Sequence, residues 1–122
     1  MPRSPDGRHQ GILNRSLFAR LARDGRLGGP AIVNAGRGGL QVEADILAAL
    51  DDGTLKAATL DVFETEPLPV DSPLWHHPGV TVTPHNAAMS EPDAIGRLVV
   101  EQIRAYERGE ALRNVVDRQL GY

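Results

Sequence analysis

Three short apolar runs, Ala31-Ile32-Val33-Asn34, Ala57-Ala58-Thr59-Leu60-Asp61-Val62 and Val80-Thr81-Val82-Thr83, alternate with stretches whose apolar residues recur at helical spacing. This alternation constrains the fold most, because strands joined through helices run parallel and need cover on both faces. Asn14 is placed to cap a first helix carrying Leu17, Phe18 and Leu21. Val42, Ile46, Leu47 and Leu50 mark a second helix, with Glu43 and Asp45 at its positive start and Gly53 at its stop. Pro67, Pro69, Pro73 and Pro78 impose a loop before the third strand. Ser90 and Asp93 have capping-box spacing ahead of a last helix striped by Ile95, Leu98, Val99, Ile103 and Tyr106. The first run, bounded by Gly29-Pro30 and Gly36, reads as a strand buried on both faces. Three parallel strands with right-handed crossovers make a narrow sheet, and at least one of its edges expects a strand from outside this chain. The fold class is therefore α/β, the second half of a doubly wound parallel sheet.

At 122 residues the chain is sized for one domain, and 41% hydrophobic with 24% charged residues is the composition of a packed core rather than of disorder. The absence of cysteine excludes disulfides, thiolate nucleophiles and cysteine-ligated metals. His76 and His77 are adjacent in a Pro-bounded loop with no carboxylate at helical ligand spacing, so no metal site is expected. Trp75 is expected to pack this loop onto the sheet. The first ten residues contain no apolar signal run and no stretch of 18 apolar residues occurs, which implies a cytoplasmic protein without a membrane partner. Residues 1–40 hold seven arginines against two acids, while the remainder holds six basic residues against fourteen acids. Only Phe18 lies among Arg15, Arg20, Arg23 and Arg26 for base stacking, so this stretch reads as a solvated face and no nucleic-acid partner is expected.

Ligands of open parallel sheets bind beyond the carboxyl ends of the strands. The residues found there are Arg37, then Asp61 with Glu66, then His85. An arginine fork suits a carboxylate, a histidine exchanges a proton, and a glutamate orients an imidazole. Each also has a plainer reading: Arg37 as a surface or helix-start arginine, Asp61 as a strand-end turn acid, Glu66 as a solvated loop acid, and His85 as a histidine satisfied by backbone.

Taken together, Asn34-Ala35-Gly36-Arg37-Gly38-Gly39, Leu60-Asp61-Val62-Phe63-Glu64-Thr65-Glu66-Pro67-Leu68-Pro69, Ser72-Pro73-Leu74-Trp75 and Val82-Thr83-Pro84-His85 resemble the C-terminal signature blocks of the D-isomer-specific 2-hydroxyacid dehydrogenases. Order and spacing agree at once, with 24 positions from Arg37 to Asp61 and five from Asp61 to Glu66. Within the family the likeness is greatest to the glyoxylate/hydroxypyruvate reductases, through Glu43 six positions after Arg37 and the ending Val116-Asp117-Arg118-Gln119-Leu120-Gly121-Tyr122.

The resemblance implies a Rossmann-like fold and NAD(P)H-dependent reduction of a small 2-oxo acid such as glyoxylate or hydroxypyruvate. It implies that Arg37 grips the substrate carboxylate and keto oxygen, that His85 donates the proton, and that Glu66 holds the other imidazole nitrogen. Asp61 would hold the nicotinamide carboxamide of NADP or NAD, with Ala35, Gly36, Arg37, His85 and Ala87 also around the cofactor. Residues 1–122 would then be a partial NAD(P)-binding domain, with 90–122 a helix and tail returning to a substrate domain. The family's Gly-x-Gly-x-x-Gly phosphate loop has no counterpart in the sequence. The expectation is accordingly a truncated or split coding sequence, working as a homodimer or beside a chain that supplies the missing half. The alternative is a non-catalytic interaction domain that docks on a full-length homologue.

Overall fold

The computed structural model describes residues 10–117, which fall into two compact units meeting in sequence at Ala88 and Met89. The first holds α1 (Arg15–Phe18), β1 (Ala31–Asn34), α2 (Glu43–Asp51), β2 (Ala57–Leu60) and β3 (Val80–Val82). The second holds α3 (Pro92–Glu107).

The three strands form one parallel sheet in the order β1-β2-β3, as the alternation of runs requires. Asn34 of β1 is level with Leu60 of β2, and Leu60 is level with Val82 of β3. That register brings all three strands to their carboxyl ends side by side. β2 and β3 end at Leu60 and Val82, short of the ends of their runs, although the Asp61 and Thr83 amides still donate to the Asn34 and Leu60 carbonyls. There the side chains of Asp61 and Thr83 also bond to each other.

Phe18, Ile46, Ala49, Leu55, Ala58, Leu60 and Leu74 pack as the core against one face of the sheet. α1 is a single turn: the Asn14 side-chain oxygen caps its start by accepting from the Ser16 and Leu17 amides at 3.0 and 3.2 Å, and beyond Phe18 the Arg20 and Leu21 amides donate only three residues back, to Leu17 and Phe18, which tightens the chain out of the α-helix. Leu21 lies outside that turn yet still packs on the core. α2 ends where expected, with Gly53 in the left-handed conformation at φ +76°.

Three expectations need correction. β1 is buried on alternate residues only: Ile32 and Asn34 face inward while Val33 is 72% exposed, since the helices of this unit cover one face of the sheet. Trp75 does not seal the loop; it is 47% exposed with its indole N–H donating to the Pro69 carbonyl at 2.8 Å, and Leu74 is the buried residue. Ser90 does not cap α3, which begins at Pro92 with Glu91 in the cap position and no side-chain bond. Proline at the first turn needs no donor there and presets φ.

In the second unit the chain after α3 folds back on it. Gln102 exchanges two hydrogen bonds with the Arg113 backbone at 2.6 and 3.2 Å, and Arg113 pairs with Glu101 at 2.6 Å. Ile95, Val99, Ile103 and Tyr106 of the apolar stripe are exposed. Among the described residues no helix is long and apolar enough to cross a membrane.

Candidate active site

The loop after β1 is shaped by a polar side chain in an apolar run. Asn34 accepts from the Gly36 amide at 3.1 Å, and its side-chain amide donates to the Arg37 carbonyl at 3.0 Å and to Gln41 Oε1 at 2.7 Å. Gln41 is 2% exposed and donates onward to the Val62 carbonyl at 2.9 Å. Buried amides thus join the loop after β1 to the loop after β2. Gly38 closes the same seam, because a Cβ there would stand 1.8 Å from the Phe63 carbonyl oxygen. Glu43 and Glu64 complete it, each accepting the other's backbone amide, at 2.8 and 3.1 Å. The backbone of Arg37 is therefore held while its side chain is exposed, donating to the Gly36 carbonyl at 2.8 Å and pairing with no carboxylate among the described residues.

Beyond β2 and β3 lies a denser cluster. Asp61, 3% exposed, accepts from the Thr83 hydroxyl at 2.5 Å and the Asn86 amide at 3.0 Å on Oδ1, and from the Ala87 amide at 3.0 Å on Oδ2. Thr83 foremost, with the two amides, holds this carboxyl below the ordinary range against the opposing effect of burial. Glu66 accepts from the Phe63 amide at 3.0 Å with one oxygen and contacts His85 Nδ1 at 2.8 Å with the other. Those two bonds, the Phe63 amide first, lower its carboxyl as well. The His85 side chain is 53% exposed, its backbone sits at φ +53°, and its Nε2 makes no hydrogen bond among the described residues.

An imidazole anchored at Nδ1 by a carboxylate presents Nε2 as the nitrogen that exchanges a proton with a bound molecule. The structure brings Glu66 and His85 into contact and ties Asp61 to the backbone that carries His85. Arg37 shares no side-chain bond with them; the seam at Gly38 and Phe63, together with Glu66 on the Phe63 amide, links its loop to theirs. Ala35 and Gly36 lie exposed in the turn just past β1. Asn34, Gln41 and Thr83 also shape the site, although none of them carries a charge. For Asn34 the available signal was an amide at an inward position of a strand.

The donor set suits the nicotinamide end of a dinucleotide. A carboxylate has about four acceptor positions, so Asp61 keeps one for a carboxamide N–H after its three bonds, and exposed Ala35 follows Asn34, the partner of Leu60, at the level of Asp61.

The sequence profile of the D-isomer specific 2-hydroxyacid dehydrogenase NAD binding domain matches residues 1–87. A glyoxylate/hydroxypyruvate reductase A of Serratia proteamaculans is 48% identical over 122 residues, which is 100% of this chain and 37% of that protein. The NADPH-dependent glyoxylate/hydroxypyruvate reductase of Sinorhizobium meliloti, whose crystal structure is a complex with NADP and sulfate, is 50% identical with a TM-score of 0.91, over 100% of this chain and 38% of that one. A probable 2-hydroxyacid dehydrogenase of Rhizobium etli in complex with NADP, HEPES and L(+)-tartaric acid is also 50% identical, with a TM-score of 0.86 over the same shares. The chain thus spans a little over a third of the length of these relatives.

Proposed function

Because this chain belongs to the D-isomer specific 2-hydroxyacid dehydrogenase family, we propose that it carries the proton-transfer side of a site that reduces glyoxylate or hydroxypyruvate with NADPH. The observation that carries this reading is the contact of His85 Nδ1 with Glu66 at 2.8 Å, with Nε2 left for a substrate.

Arg37, an exposed cation on a fixed backbone, binds the carboxylate of the 2-oxo acid through its guanidinium fork. His85 in its imidazolium form donates the Nε2 proton to the keto oxygen, while Glu66 keeps Nδ1–H bonded and so fixes ring orientation before and after transfer. Bound nicotinamide supplies the hydride that reaches the carbonyl carbon, so one hydride and one proton convert the keto group to a secondary alcohol. Asp61, the backbone of Ala35 and Gly36, and Ala87 would hold the carboxamide end. The pyrophosphate and the far side of the substrate fall to residues outside this sequence, in a part that carries a phosphate-binding loop. The names of the relatives and the NADP in two of their structures support this choice of substrate and cofactor.

The test is oxidation of NADPH, then NADH, with hydroxypyruvate or glyoxylate by this sequence joined to the phosphate-binding loop and substrate domain of a relative, followed by nicotinamide absorbance. Turnover is expected with NADPH, and His85→Ala is expected to lower it by roughly a hundred- to ten-thousand-fold, the usual contribution of a positioned general acid. Equal turnover in the variant removes His85 as proton donor. No turnover from the folded, joined protein overturns the proposal.

A further inference from the structure

We propose that Thr83 is a positioning residue for the His85 imidazole, acting through Asp61; the inference rests on the reading of His85 as proton donor.

His85 is held at φ +53°, a conformation that only a few per cent of non-glycine residues adopt and that persists where surrounding contacts over-determine it. The contacts on either side of it lead to one carboxylate. Asn86 and Ala87, the next two residues, both donate their amides to Asp61, one to each oxygen. Pro84, before His85, has no N–H to offer. The turn is therefore shaped by where the Asp61 oxygens lie.

Thr83 decides that. Its backbone is fixed by the sheet, its amide donating to the Leu60 carbonyl at 3.0 Å directly beyond the Leu60 and Val82 pair. From that position its hydroxyl reaches Asp61, the residue after Leu60, on the same oxygen that receives Asn86. A carboxylate that is 3% exposed finds no water to replace a lost donor without rearrangement, and one fixed donor sets its rotation. With the hydroxyl present, both oxygens are aimed at the turn, His85 is held left-handed, and its Nδ1 meets Glu66. Without it, the carboxylate turns, the two amides lose alignment, and the imidazole loses its fixed approach to Glu66.

The test uses the 15N-labelled chain, whose amides and histidine ring nitrogens are read by NMR in Thr83→Val, nearly the same shape without the hydroxyl, and in Thr83→Ser, which keeps it. The Lys56 and Ala58 amides, bonded to Pro30 and Gly79 at 2.7 and 2.8 Å toward the amino end of the sheet, report whether the fold persists. Thr83→Val is expected to shift the Asn86 and Ala87 amides, speed their hydrogen exchange about ten-fold through loss of one charge-assisted bond, and move the His85 ring nitrogens. Thr83→Ser is expected to restore all three signals. The proposal is overturned if these signals keep their native values in folded Thr83→Val. It is equally overturned if Thr83→Ser fails to reproduce them, whether or not the valine variant folds. No readout depends on turnover, so this role and the reductase reading fail separately.

Discussion

Gln41 occupies a place where an apolar residue of equal size would pack, yet its Oε1 accepts from Asn34 and its Nε2 donates to the Val62 carbonyl. Replacing it by leucine leaves that carbonyl and one hydrogen of the Asn34 amide without partners in a dry seam. Gln41→Leu is expected to cost about 1–3 kcal/mol, the usual penalty for a buried polar group left unpaired. The measurement is urea unfolding, with a lower midpoint and an unchanged slope; an unchanged midpoint would show that the amide bridge contributes nothing. Arg37, Asp61, Glu66 and His85 are legible without coordinates, because each follows a strand run and stands in a recognisable block of neighbours. Gln41 is not, because an amide just before a helix looks like any polar start. Its role depends on Val62 standing opposite, 21 positions away.

At the scale of elements, two neighbouring glycines have opposite tolerances. A methyl group at Gly38 would enter the Phe63 backbone, whereas at Gly39 a Cβ meets nothing within 4 Å. Gly38→Ala must part the loops that follow β1 and β2 and is expected to lose about 1–3 kcal/mol, as overpacking does. Gly39→Ala is expected to stay within about 0.5 kcal/mol of the parent. Thermal unfolding of the two variants side by side checks this, and equal stability would refute the close approach. The pair Gly38-Gly39 reads from sequence as one flexible punctuation, and only the packing of one loop on the other tells them apart. Strand boundaries behave likewise: β2 is legible as a run but ends at Leu60, where Asp61 turns its side chain to Thr83 and to the backbone beyond it.

Across the whole molecule, charge and proton binding link the site to stability. Asp61 and Glu66 both titrate below their ordinary values in the folded chain. Folded values below unfolded ones mean that their contribution is fully present above the ordinary carboxylate range, near pH 4, and is lost as pH falls through the lower folded values. Asp52, lowered chiefly by Thr54, and Glu110, lowered by Arg108, add to the same trend. The urea midpoint is expected to change little between about pH 7 and 5 and to fall below about pH 4. Thr83 is the foremost cause at Asp61, and the Ala87 and Asn86 amides and His85 also lower that carboxyl. Thr83→Val should therefore show a smaller fall than the parent. Identical acid profiles for the two would detach Thr83 from the ionisation of Asp61.

The parallel α/β character, the helix and strand order, and the chemical identities at the strand ends are all written in local pattern. Periodicity, capping residues and side-chain type are local properties, carried by residues a few positions apart. That Thr83 and two amides meet on Asp61, that Gln41 spans two loops, that His85 is held left-handed, and that Val33 lies on an exposed face emerges only when the chain is folded. Those facts follow from strand register and loop closure, which bring together groups more than twenty residues apart, and no window of neighbouring residues contains them.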